Sequence, residues 1–226
     1  MGHLTKQVFG EVNGAVGHVV FKHRAGANYI AMRVAKMKAS FDPVVLARRA
    51  KFALTGKIAK AINSLTVLKT AWPITAGKLS RYNEIFQANY KLIGSVANIG
   101  TVSVAPLFGF SLANPHLLTQ AAGIQLTADA IGIKAGIDTG VEKFVLAAGV
   151  IVLQDPTVEG YPATLVIPFK SIQTNLDLIN PVTLTAELEG TSLIQYQGYA
   201  TKKAFACLVT VNDNGQTVHA SVSVQS

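Results

Sequence analysis

Hydrophobic and polar positions divide the chain into three stretches of different period. From residue 101 onward, short runs rich in Val, Ile, Thr and Leu recur between Gly, Pro, Asn and Asp, at residues 124–128, 143–153, 163–169, 182–189, 204–211 and 218–224. This spacing predicts an antiparallel sandwich or barrel, because a parallel sheet would need helical periods between its strands. Thr183, Thr185 and Glu187 alternate with Leu184, Ala186 and Leu188, which predicts one wet and one dry strand face. The run Asn212-Asp213-Asn214-Gly215 predicts the turn of the last hairpin.

The middle stretch has the period of a helix. Asp42-Pro43 supplies an N-cap acceptor followed by proline at the first helical position, and Leu46, Ala50, Leu54, Ile58 and Ile62 then share one face. A helix is predicted over about residues 43–65. A shorter one is predicted over 67–72, stopped by Pro73. A third, over about 80–93, places Tyr82, Ile85, Phe86, Asn89 and Ile93 on an amphipathic face. Tyr82, Phe86 and Tyr90 are spaced to stack on nucleic-acid bases, but a packing seam against the first helix is the stronger reading. The first 41 residues read as strands between Gly10, Gly14 and Gly17, with a hairpin formed by residues 19–24 and 29–34 around a turn at Ala25, Gly26, Ala27 and Asn28. The fold class is therefore α+β. It comprises an extended glycine-rich basic β arm (1–41), a helical segment (42–93), a linker (94–100) where the helical period ends, and an antiparallel β-sandwich-like domain (101–226).

Composition narrows this picture. Of the 226 residues, 50% are hydrophobic and 14% charged, which excludes a disordered chain. No apolar run reaches the ~18 residues a membrane-spanning helix requires, so no membrane partner is expected, and the N-terminus carries no apolar signal core. The single cysteine, Cys207, excludes an internal disulfide and reads as a small buried hydrophobe, as expected of a protein kept in a reducing compartment. Charge is segregated. Residues 1–91 hold 15 Lys and Arg against three carboxylates, a net of +12, and the remainder holds five against nine, a net of −4. Lys22, Arg24, Arg33, Lys36, Lys38, Arg48 and Arg49 are the candidate contact residues, for nucleic acid or for the acidic part of a neighbouring subunit.

Signals for chemistry are weak. Gly10, Gly14 and Gly17 lack the dinucleotide-binding spacing, and no Walker loop is present. The histidines at 3, 18, 23, 116 and 219 have no sequence-adjacent Cys or carboxylate, so neither a metal nor another cofactor is expected. Gly109-Phe110-Ser111-Leu112-Ala113 approximates the nucleophile elbow, with Asp177 and His219 following in hydrolase order. The elbow belongs between a strand and a helix of an alternating α/β sheet, and no such alternation surrounds Ser111. No catalytic residue is assigned, and the chain is expected not to be an enzyme.

Gly10, Gly14, Gly17, the Val19-Val20-Phe21-Lys22 strand, residues 29–33 and the Leu46-Ala47-Arg48-Arg49-Ala50-Lys51-Phe52-Ala53 segment resemble a family of small uncharacterised proteins of Bacteroidota and their phages. The family's usual Thr-Pro-x-Gln before the helix is Phe41-Asp42-Pro43-Val44 here. The resemblance covers about the first 55 residues and implies a phage virion or assembly protein of the capsid, head-to-tail connector or tail, assembled in the host cytoplasm. It implies no functional residue. Partners would be further copies of the chain and other virion proteins. Two other readings compete: a basic nucleic-acid-binding protein, and a surface adhesin or carbohydrate-binding β-sandwich using Tyr196 and Tyr199.

Overall fold

The computed structural model describes residues 2–3, 13–24, 27–33, 41–73, 80–106, 109–132 and 135–226. The chain forms two compact units, Met1–Leu46 and Ala47–Ser226.

The first unit is an antiparallel sheet of β1 (Gly2–His3), β2 (Gly14–Val16), β3 (Val19–Arg24) and β4 (Ala27–Met32), in the order β1-β4-β3-β2. The expected hairpin is present as β3 and β4, in register from Val19↔Met32 to Arg24↔Ala27, but Ala27 and Asn28, expected in the turn, are the first residues of β4; Ala25 and Gly26 lie outside the described residues. A second hairpin joins β2 to β3 through Gly17 and His18. Gly17 has φ +57°, a left-handed conformation glycine adopts without steric cost.

The second unit begins within α1 (Pro43–Ser64), which starts where the Asp42-Pro43 signal placed it. The Asp42 carboxylate accepts from the Val44 backbone N–H at 2.8 Å, satisfying one of the donors that a helix leaves without an internal partner. Leu54, Ile58 and Ile62 are buried as the period predicts, whereas Leu46 and Ala50 of the same stripe are exposed. The helix α2 (Thr66–Ala71) ends at Trp72, held extended at ψ 122° before Pro73. Ser80 caps α3 (Arg81–Leu92), accepting from the Asn83 N–H. Alanine at Gly56 in α1 would meet only the Tyr82 hydroxyl at 3.5 Å. Gly56→Ala is therefore expected to stabilise the fold by about 0.5–1 kcal/mol through lost unfolded-state freedom. Thermal unfolding should register this as a rise of roughly 1–4 °C.

A six-stranded sheet forms the middle layer. Its axis is the pairing of β7 (Phe144–Pro156) with β11 (Tyr199–Val211), in register from Phe144↔Val211 to Tyr199↔Pro156. The strand β8 (Thr164–Lys170) lies beyond β7, and β12 (Thr217–Ala220) lies beyond β11. Two short strands, β9 (Thr174–Asn175) and β13 (Val224–Gln225), pair with β7 and β11 respectively. Leu146, Ala148, Val150 and Val152 of β7, with Phe205, Cys207, Val209 and Val211 of β11, pack with the apolar faces of α1, α2 and α3. The alternate residues Val145, Ala147, Ile151 and Leu153, with Ala204, Ala206 and Leu208, face the other way. They meet a three-stranded sheet of β5 (His116–Thr119), β6 (Gly123–Ala128) and β10 (Val182–Glu187), ordered β10-β6-β5.

The unit is thus an α+β sandwich of helices, long sheet and short sheet. The apolar character of residues 145–153 and, Thr210 excepted, of 204–211 follows, because both faces of those strands are covered. On β10 only one face is covered, and Val182, Leu184 and Ala186 are buried while Thr183 and Glu187 are exposed. The helices share their core with the sheet, so residues 94–100 join two layers within one unit. The helix α4 (Gly190–Gln197) had no counterpart among the expected elements.

Candidate functional site

Pairing across the first unit assigns its faces. Residues directly opposite one another in an antiparallel pair project from the same side. Val16 opposes Val19, which opposes Met32, and Phe21 opposes Ile30. These two adjacent rows make one apolar face, completed by the hydrogen bond between His23 Nδ1 and Asn28 Oδ1 at 2.7 Å. Lys22 projects from the other face with Val20 and Tyr29. Val16 is 71% and Met32 73% exposed, and Val19, Phe21 and Ile30 are half-buried. Among the described residues of Met1–Leu46 no apolar side chain is buried; the sole buried residue is Asn28. A sheet is normally stabilised by covering one apolar face with another layer; among the described residues of this face, Val16 and Met32 are largely exposed.

Of the seven candidate basic residues, Lys22 and Arg33 are exposed in the first unit. Arg33 follows β4, its backbone N–H donating to the His18 carbonyl. Arg48 and Arg49 occupy successive exposed positions of α1 in the second unit. Lys36 and Lys38 lie outside the described residues, and of Arg24 only the backbone is described.

The aromatic residues of α3 form the expected seam with α1. Phe52 of α1 lies 4.8 Å from Phe86 and 6.3 Å from Tyr90, between ring centroids. Phe86 and Tyr90 stack at 5.8 Å, and Lys51 Nζ sits 4.6 Å above the Tyr90 ring. Tyr196 and Tyr199, the candidates for a sugar platform, are 2% and 1% exposed. Their hydroxyls donate to the Gln120 and Pro162 carbonyls, so neither ring presents a binding face.

Ser111, Asp177 and His219 make no contact with one another among the described residues. Ser111 is exposed in a segment that contacts the sheet through a parallel bridge from Phe110 to Ser221. Asp177 accepts from the Asn180 side-chain amide and from the Ile179 and Asn180 backbone N–H groups. The Asn180 side chain, followed by those two N–H groups, holds the carboxyl below its ordinary range. His219, expected to lack a carboxylate, lies 3.0 Å from Glu142. These residues are 77 positions apart, so no local spacing could have signalled the pair. Cys207 is buried, and desolvation pushes its thiol up to about 12, which removes the thiolate needed for nucleophilic chemistry. Among the described residues no three His, Cys, Asp or Glu side chains gather as a metal site, and no helix is long and apolar enough to cross a membrane.

These features define an α+β sandwich preceded by a small basic sheet, one face of which carries the exposed Val16 and Met32. No protein-family model matches this chain, and no curated protein matches it.

Proposed function

We propose that this chain is a non-enzymatic structural or assembly protein of a phage-type virion, self-associating through residues 1–40. The observation that carries the reading is the apolar face of the first unit, where Val16 and Met32 remain about three-quarters exposed. Association with another copy would remove that face from water at roughly 25 cal/mol per Å². Charge favours the same partner, since a segment of net +12 precedes one of net −4 and a repeated subunit brings unlike charges together. The virion context rests on the resemblance of the first 55 residues.

The test is the mass in solution by light scattering, at low and high salt, with and without residues 1–40. The full chain is expected as a defined ring or polymer, and the shortened chain as a 23.9 kDa species less the deleted mass. A full chain that stays monomeric at both salts would overturn the reading. Contact with nucleic acid has separate support in the exposed Lys22, Arg33 and Arg48. It requires affinity for random-sequence duplex that falls as salt rises; a salt-independent or undetectable affinity removes it.

A further inference from the structure

A cavity of about 360 Å³ lies beside the edge strand β12, between that strand, the end of α2 and the segment containing Phe110. The cavity is half open to solvent, and Gly109 allows the close approach that forms its wall. A Cβ there would collide with the backbone of Ala220 and Ser221, and its absence lets the segment lie against β12, with the Phe110 N–H donating to the Ala220 carbonyl. The wall is otherwise largely small and apolar, including Ala71, Pro106 and Val218, and its polar side chains are those of Thr217 and His219.

Both polar groups are oriented by partners outside the cavity. The Glu142 carboxylate is fully buried and accepts from the Asp138 backbone N–H at 3.0 Å and from the Thr210 hydroxyl. Its remaining partner is His219 Nδ1, at 3.0 Å. A carboxylate that accepts at this distance places the hydrogen on Nδ1, and with that tautomer the uncharged imidazole presents its lone pair at Nε2. His219 is half-exposed, and among the described residues Nε2 has no partner. The Thr217 hydroxyl donates to the Val67 carbonyl at 2.8 Å, which leaves its oxygen as an acceptor. The cavity therefore offers acceptors in an apolar wall. Acceptors near a small apolar volume select a molecule that brings its own donor.

We propose that this cavity is a binding site for a compact, mainly apolar molecule bearing one hydroxyl donor, which His219 Nε2 receives. Glu142 is a positioning residue, holding the imidazole tautomer through Nδ1. The site is independent of self-association.

The experiment titrates the full-length, isotope-labelled protein with phenol and with anisole, in buffer near about pH 8. Anisole has the same ring but no donor. The His219 ring resonances and the Val218 and Ala220 amides report binding. Phenol is expected to give a saturable shift in the millimolar range and to bind about tenfold more tightly than anisole, the effect of one net hydrogen bond. In His219→Phe, which retains an aromatic wall, that preference is expected to vanish. Absence of a saturable phenol shift, equal affinity for the two compounds, or a preference that survives in His219→Phe would each overturn the assignment. The phenol and anisole comparison in the unaltered protein stands whether or not the variant folds.

Discussion

Gly149→Ala is expected to lower the melting temperature by roughly 6–12 °C, corresponding to a loss of about 3 kcal/mol or more. Gly149 sits midway along β7, opposite Ala206 on one side and Phe169 on the other. A Cβ at this position would overlap the Phe205 carbonyl oxygen, approach Ala206 Cα to 2.8 Å and approach the Phe169 ring to 2.9 Å. Two of these obstacles are backbone atoms of the longest strand pair, where neither partner can rotate away. The Phe169 ring, 4% exposed, occupies the space a side chain would have taken; this close approach explains a glycine in a buried strand interior. Thermal unfolding followed by circular dichroism measures the effect, and Gly56→Ala provides a comparison of opposite sign. A Gly149→Ala protein that melts with the unaltered one would refute the packing described for this pair.

Asn89→Leu should cost about 3 kcal/mol despite preserving volume and adding apolar surface. Asn89 is fully buried on α3. Its amide donates to the Ile85 and Ser103 carbonyls at 3.0 Å, and its oxygen accepts from the Ser103 N–H at 2.8 Å. The side chain thus pairs with Ser103 as a neighbouring strand would, tying α3 to a segment that runs through the core at Val102 and Val104. Leucine would leave the donor and acceptor of Ser103 unpaired where Ser103 is 2% exposed, and each such group costs about 1–3 kcal/mol. Urea unfolding gives the magnitude. Hydrogen exchange gives the location: protection of the Ser103 amide is expected to fall to a greater extent than that of the β7 and β11 amides. Unchanged Ser103 protection would show that the amide pairing contributes nothing.

Local chemistry determined the elements of this protein. Asp42-Pro43 marks the start of α1 because a carboxylate and a proline each suit one position of a helix terminus. The alternation of Thr183, Leu184, Thr185 and Ala186 reports a strand with one covered face, and the glycine-rich stretch carries the β3 and β4 hairpin. Segregated charge was likewise readable as a candidate for association, whereas the apolar rows of the first sheet emerge only from the pairing of β2, β3 and β4. What covers each face was decided only in three dimensions. Apart from Thr210, residues 145–153 and 204–211 carry no polar side chain, a pattern that does not state which residues meet helices and which meet the short sheet; the pairing of β7 with β11 assigns them. Tyr196 and Tyr199 carry polar tips that suit a surface, yet tertiary packing buries their rings and satisfies their hydroxyls at Gln120 and Pro162. Glu142 and His219 meet because the turn before β7 ends beside the edge strand β12, across a sheet whose register sums contacts over the whole second unit. Periodicity records the solvent a residue expects, whereas a charge pair or a cavity depends on distant segments being held together, and only the packed layers provide that.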